Sequence, residues 1–323
     1  MYHGMSFIPE GTRVDFVGKR LIALAMSLVV IFGSLVLLGT KGLNFGIDFA
    51  GGIQMEVRST KPIEMAKMRA TLDDLGIGDV GLQGIGDSHR EMMIRIPAFP
   101  DEATQNAALK AVRTALGPDF EDRRTEVVGP KVGEELIRDG ILAVVLAIAA
   151  IGAYLWLRFE WQYGVGGMLT LLHDVTATMG LFSITGMEFS LTSVAAVLTI
   201  AGYSINDTVV IYDRVRENLR KYKKMPLLEL MNLSLNETLS RTILTSGTTV
   251  LSIVPIVFFG GDALKGFALA MIWGVVVGTY SSIYISLPVL IYFRLRSGGE
   301  VAPLEDDEPK AAPAKKKKHP AKA

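Results

Sequence analysis

The stretch Gly202-Tyr203-Ser204-Ile205-Asn206-Asp207-Thr208-Val209-Val210-Ile211-Tyr212-Asp213-Arg214 places a carboxylate inside an apolar run, Ser190–Tyr212. The next apolar run opens on Ser240-Arg241-Thr242-Ile243-Leu244-Thr245-Ser246, with a guanidinium at the mirror position. An ionised group at bilayer depth costs roughly 2.5–3.5 kcal/mol on insertion scales, and the usual reason to keep one is a proton or ion pathway. Two at matching depth are therefore read as functional.

The rest of the chain supplies the membrane. Half of its 323 residues are hydrophobic, and 33 basic residues balance 33 acidic ones, so net charge says nothing about partners. The apolar residues gather in long runs with the charges between them, as in a polytopic membrane protein. With no cysteine there is no disulfide framework, thiolate nucleophile or thiolate metal site.

Hydropathy predicts six spans: about Leu21–Leu38, Ile141–Leu157, Val165–Phe182, Ser190–Tyr212, Ile243–Phe259 and Phe267–Phe293. Each is near the ~20 residues that cross a ~30 Å hydrocarbon core. The first is read as an uncleaved anchor, because Leu38-Gly39-Thr40-Lys41 offers no small-residue cleavage site.

Loop charge sets the orientation. Arg13, Lys19 and Arg20 precede span one, Arg158 lies between spans two and three, and Arg214, Arg216, Arg220, Lys221, Lys223 and Lys224 lie between spans four and five. Arg294, Arg296 and a lysine-rich tail follow span six. The positive-inside rule makes all of these cytoplasmic. Both termini then lie inside. Thr185–Glu188, Gly260–Gly266 and the long segment Lys41–Arg138 fall outside.

The expected organisation is therefore a cytoplasmic N-terminus over 1–20, a first transmembrane helix over 21–40 and a periplasmic domain over 41–138. Transmembrane helices two to six follow over 139–296, with a basic cytoplasmic loop near 213–238, and then a disordered basic tail over 297–323. In the outer segment Ile53–Ser59, Val80–Gly86, Glu91–Ile96 and Phe120–Val128 read as strands. Pro62–Leu75 and Asp101–Leu116 read as helices, the second capped by Asp101. The order βαββαβ suggests a ferredoxin-like α+β unit, without metal spacing or a catalytic triad, and its expected role is scaffold or protein contact. Lys315–Lys318 in the tail are read as a positive-inside anchor, with contact to anionic lipid or ribosomal RNA as the alternative.

Spans four and five form a hairpin that turns near Lys224-Met225-Pro226. Asp207 lies about 17 residues before the turn and Arg241 about 17 after, or roughly 25 Å along each arm. That geometry predicts an ion pair or a water-bridged pair. Span five adds Thr238, Thr242, Thr245, Thr248, Thr249 and Ser252 at helical spacing beside Arg241, a polar stripe suited to holding water. Tyr203 and Asn206 are placed with Asp207 on one face of span four. His173-Asp174 in span three lies at a comparable depth, where a carboxylate beside histidine can tune its titration, so this pair joins the candidate relay. Gly266, Ala270, Gly274, Gly278 and Ser282 recur every four residues in span six, a small-residue ladder for close packing inside the chain or against another subunit. Pro255 and Pro288 are expected to kink their spans.

Several chemistries are excluded. No Gly-x-x-x-x-Gly-Lys-Ser/Thr loop is present, and Gly-x-Ser-Gly is broken at Ile205. Gly-x-Gly-Asp and His-Glu-x-x-His are missing.

Several motifs together carry a resemblance. They are Asn44-Phe45-Gly46-Ile47-Asp48-Phe49-Ala50-Gly51-Gly52, Gly129-Pro130-Lys131-Val132-Gly133, His173-Asp174-Val175, Gly202 to Val210, Asp213-Arg214-Val215-Arg216-Glu217-Asn218 and Leu239-Ser240-Arg241-Thr242. With one span, a large outer domain and five more spans, the chain resembles the SecF branch of the SecD/SecF protein-export family, related to the resistance-nodulation-division exporters. The resemblance implies a translocation subunit of the bacterial inner membrane, driven by the proton motive force, neither an enzyme nor cofactor-dependent. It implies SecD, the SecYEG channel and the translocating polypeptide as partners, with YajC and YidC as further candidates. It places Asp207 and Arg241 in the proton route and a further essential carboxylate on SecD. The alternatives are a proton-coupled small-molecule exporter subunit and a structural scaffold.

Overall fold

The computed structural model describes residues 13–86 and 89–293. The basic tail expected from Ser297 onward lies outside them. Helix α1, Arg20–Thr40, leads into a two-residue strand β1, Asn44–Phe45, and a single helical turn α2, Ile47–Ala50. An α+β unit follows: β2 Gly52–Ser59, α3 Met65–Asp73, β3 Gly81–Ile85, β4 Glu91–Ile96, α4 Glu102–Leu116 and β5 Phe120–Val128. Long helices α5, Pro130–Arg158, and α6, Trp161–Thr185, come next. A second short strand β6, Glu188–Phe189, precedes α7, Leu191–Lys221, and α8, Leu227–Phe259. The chain closes with α9, Gly261–Tyr284, and α10, Ser286–Tyr292.

Among the described residues six helical segments are long and apolar enough to cross a membrane: α1, α5, α6, α7, α8 and the sixth over Leu264–Tyr292. The sixth is broken at Ile285. Pro288 explains the break: it has no N–H for the carbonyl four residues back, at Tyr284, and its ring crowds that carbonyl. Pro255 stays inside α8. Several helices outrun their apolar stretches. Helix α8 starts 16 residues before Ile243, at Leu227. Its first turns are amphipathic, with Leu230, Met231, Leu235 and Leu239 buried, so a hydropathy average passes over them. The loop expected near 213–238 is mostly helix, and only a short turn at Tyr222–Pro226 separates α7 from α8.

In the α+β unit the strands pair antiparallel in the order β3-β4-β2-β5. Ile53, Met55 and Val57 alternate inward on β2 opposite Met92, Ile94 and Ile96 on β4, and Leu72, Val112 and Leu116 from the two helices close the core. Asp101 caps α4, its carboxylate accepting the Thr104 backbone N–H at 2.8 Å.

The bundle is built around α7. The small-residue ladder of α9 packs inward against it. A Cβ on Gly274 would collide with the Ile200 side chain, and one on Gly278 would stand 3.1 Å from the Ser204 Cβ. Ala270 and Ser282 are buried beside them, whereas Gly266 faces open space. The ladder, left open between internal and external use, is thus internal from Ala270 to Ser282.

Candidate functional site

Two short strands and one carboxylate fasten the α+β unit to the bundle. Strand β1 pairs in parallel with β6, Asn44 opposite Glu188 and Phe45 opposite Phe189. Asp48 on α2 accepts the Leu191 backbone N–H at 2.9 Å, capping the start of α7. A carboxylate there also meets the positive end of the helix dipole. Arg95 on β4 pairs with Glu188 at 2.5 Å, and Lys41 donates to the Ile184 carbonyl at 3.0 Å. Burial raises the Glu188 carboxyl above its ordinary range, while Arg95 pulls it down. The turn into β2 needs glycine. Gly51 and Gly52 have φ of 71° and 116°, and a Cβ on Gly52 would strike the Ile96 carbonyl oxygen.

Deep in the bundle, Asp174 is fully buried and joins three helices. Its Oδ1 lies 2.9 Å from His173 Nδ1, while Oδ2 accepts from Ser204 Oγ on α7 and from Ser281 Oγ on α9, the latter at 2.8 Å. His173 Nε2 is buried without a partner. One turn further along α7, Thr208 bonds Ser282 at 2.8 Å, and Ser282 Oγ donates to the Ser204 carbonyl at 3.3 Å. Hydroxyls spaced along α9 therefore run beside α7 from Asp174 to the level of Asp207.

Asp207 is 2% exposed, and its Oδ2 has no partner. Arg241 is exposed on α8. Its charge acts on Asp207 through space, and the two form no direct ion pair among the described residues. The direct-pair form of the expectation is thus not found. Asn206 is exposed as well, so it does not share the buried side of Asp207. The reason is the ~100° step between consecutive helical residues, which turns Asn206 outward.

The threonine stripe of α8 also differs from expectation. Thr245, Thr248 and Thr249 return their hydroxyls to carbonyls of their own helix, at 2.7, 2.8 and 2.8 Å to Arg241, Leu244 and Thr245. Thr248 is exposed, and Thr242 is buried with its hydroxyl unpartnered. Beside this stripe the hydroxyl that reaches other helices is Ser246, which bonds Tyr203 at 3.2 Å and Thr279 at 2.6 Å.

The sequence does not mark Ser204 and Ser281 around Asp174, or the Asp48 contact with α7, as parts of the site. Hydropathy gives no signal for either. The small residues Ser281 and Ser282 do lie at the end of the α9 ladder, which is the one hint available.

The family model described as "Protein export membrane protein SecD/SecF, C-terminal" matches residues 108–296, and the model "SecD/SecF GG Motif" matches residues 36–63. The chain belongs to the SecD/SecF protein-export family. It is 45% identical over 292 residues to protein translocase subunit SecF of Rickettsia bellii, covering 90% of this chain and 96% of that one. It is also 45% identical over 306 residues to the SecF of Cereibacter sphaeroides, covering 91% and 94%. Among solved structures it resembles SecDF of Thermus thermophilus, with a TM-score of 0.79 and 36% identity over 88% of this chain. It spans 39% of that SecDF chain. A super-membrane-facing form of SecDF matches with a TM-score of 0.67. The Gly51-Gly52 turn falls within the part matched by the SecD/SecF glycine model.

Proposed function

We propose that this chain is the SecF subunit of a SecD–SecF complex that uses the proton motive force to complete protein translocation across the bacterial inner membrane. The observation that carries the reading is Asp207: a buried carboxylate with one oxygen unpartnered, at the border of a face that exposes Asn206 and Arg241. An arginine on the outer face of a membrane bundle is costly unless another chain covers it. A SecD-like subunit is the cover that the kinship with SecDF suggests, and SecYEG with its emerging polypeptide is the machine the pair would serve. YajC and YidC rest on the resemblance alone. The role is transport rather than catalysis.

Proton entry at Asp207 removes a charge from α7 and with it the through-space attraction for Arg241. Neutralisation shifts the packing of α7 against α8 and α9. His173 and Asp174 form the inner part of the route, with Ser204 and the Ser282–Thr208 pair linking the two levels. Helix α7 passes the shift to its far end, where Asp48, β1 and the Gly51-Gly52 turn hold the α+β unit. That unit is read as a ferredoxin-like periplasmic domain, which the strand order β3-β4-β2-β5 supports. Moving one elementary charge through 100 mV is worth about 2.3 kcal/mol, enough to bias a two-state equilibrium by tens-fold. Both termini are read as cytoplasmic from the basic residues at that end of the bundle.

The test uses Asp207→Asn and Arg241→Met with the SecD partner and channel in vesicles. Each variant should lose the part of polypeptide export that depends on the proton gradient. Full-rate, gradient-dependent export by either one contradicts the reading.

A further inference from the structure

At the end of the bundle that carries the basic residues, α7 continues past Tyr212 with Asp213, Arg216, Glu217, Arg220 and Lys221 on one stripe. Together with Arg158, at the corner between α5 and α6, these side chains line a cavity of about 450 Å³. Four cations face two carboxylates there. The carboxylates are already engaged: Asp213 pairs with Arg158 at 2.9 Å and lies 3.9 Å from Arg216, and Glu217 pairs with Arg214, outside the cavity, at 2.7 Å. Arg220 is exposed and makes no hydrogen bond or ion pair among the described residues. The Arg158 and Arg216 guanidiniums both lie over the Phe159 ring, 4.9 and 5.4 Å from its centre, which helps to hold the two cations at the cavity wall.

The surroundings are those of a membrane boundary. Trp156 and Leu157, immediately before Arg158, are 73% and 89% exposed, and Trp161 is about half exposed at the start of α6. Aromatic side chains favour the headgroup level, and exposed apolar ones below them favour acyl chains.

We propose that this cavity binds the phosphate headgroup of an anionic phospholipid. Arg158, Arg216 and Arg220 would contact the phosphate, and the acyl chains would lie along Trp156 and Leu157. The commitment to a lipid rather than free phosphate rests on the exposed Trp156 and Leu157, which directly precede the cavity residue Arg158 in α5. The proposal needs the six segments to cross a membrane, but it does not depend on the proton route.

The test is native mass spectrometry of the full chain in detergent, with phosphatidylglycerol and phosphatidylcholine of matched acyl chains. Phosphatidylglycerol should be retained preferentially. Arg220→Gln, which breaks no bond seen in the fold, should weaken it about fivefold. Lys223→Gln with Lys224→Gln, in the same segment but outside the cavity, should leave it unchanged. Equal binding of the two lipids overturns the proposal, as does unaltered retention by Arg220→Gln. An equal loss with the two lysine changes would assign the effect to the diffuse field of the loop and overturn the site. Displacement of the lipid by an equal concentration of inorganic phosphate would make the ligand free phosphate and overturn the lipid assignment.

Discussion

Asp48 and Leu191 are 143 residues apart in sequence, yet the Asp48 carboxylate accepts the Leu191 backbone N–H at 2.9 Å. The segment that leads into the α+β unit thereby caps the helix that carries Asp207. In this account the cap is the joint through which a charge change in the bundle reaches the outer unit. Ser190 is the N-cap of α7 and boxes with Ser193, so Asp48 adds one further hydrogen bond, and replacing it with Ala should cost about 1 kcal/mol of stability. Thermal unfolding and amide exchange at Leu191 would read it. Export should fall while assembly with the partner persists.

Glu188 supplies a second fastening, through Arg95. Its carboxyl is raised by burial, so the folded state binds a proton that the unfolded state releases. The resulting stabilisation is fully present below the ordinary value of 4.5 and is lost as pH rises through the raised folded value. Glu188→Gln should abolish that pH dependence. Melting curves of the two proteins between acid and neutral pH should therefore converge at acid pH, with the wild type losing ground as pH rises.

Asp174 joins His173, Ser204 and Ser281 across three helices. Removing the carboxylate leaves His173 Nδ1 and Ser204 Oγ without this partner, while Ser281 Oγ keeps the Gly278 carbonyl. Asp174→Ala should destabilise the protein by about 3 kcal/mol, in the range for breaking a buried charged network. Ser204→Ala should cost only about 1 kcal/mol. Equal effects in denaturant unfolding would show that Asp174 is not the hub.

Along α9, Gly274 meets Ile200 with no space for a side chain. Gly274→Val should cost about 1–3 kcal/mol through overpacking, whereas Gly266→Ala, facing open space, should be neutral or slightly stabilising. Thermal stability of the two variants in one detergent decides between them.

Much of this architecture is legible in the sequence, for stated reasons. The spans announce themselves by hydropathy, and β4 and β5 fall at Glu91–Ile96 and Phe120–Val128 as their pattern implies. Asp101 is legible as a cap because its role is local. Strands β1 and β6 are not legible, since two residues carry no periodicity and five helices lie between the partners in the chain. The Asp174 hub fails for the same reason: His173 adjoins it in sequence, but Ser204 and Ser281 come from other helices. Asn206 and the α8 threonines show the opposite error. Spacing correctly groups polar residues on an arc of helix, but which edge of that arc is buried depends on neighbouring helices that the sequence does not display.

The central claim is that the state of Asp207 is felt at the far end of α7. Amide hydrogen exchange on the complex with its partner measures this directly, comparing wild type with Asp207→Asn, which mimics the protonated carboxyl. The substitution should change protection at Leu191–Ser193 and in β2, Gly52–Ser59, while α4 stays unchanged. Identical protection at Leu191–Ser193 and Gly52–Ser59 in the two proteins, with export lost in the variant, would contradict it.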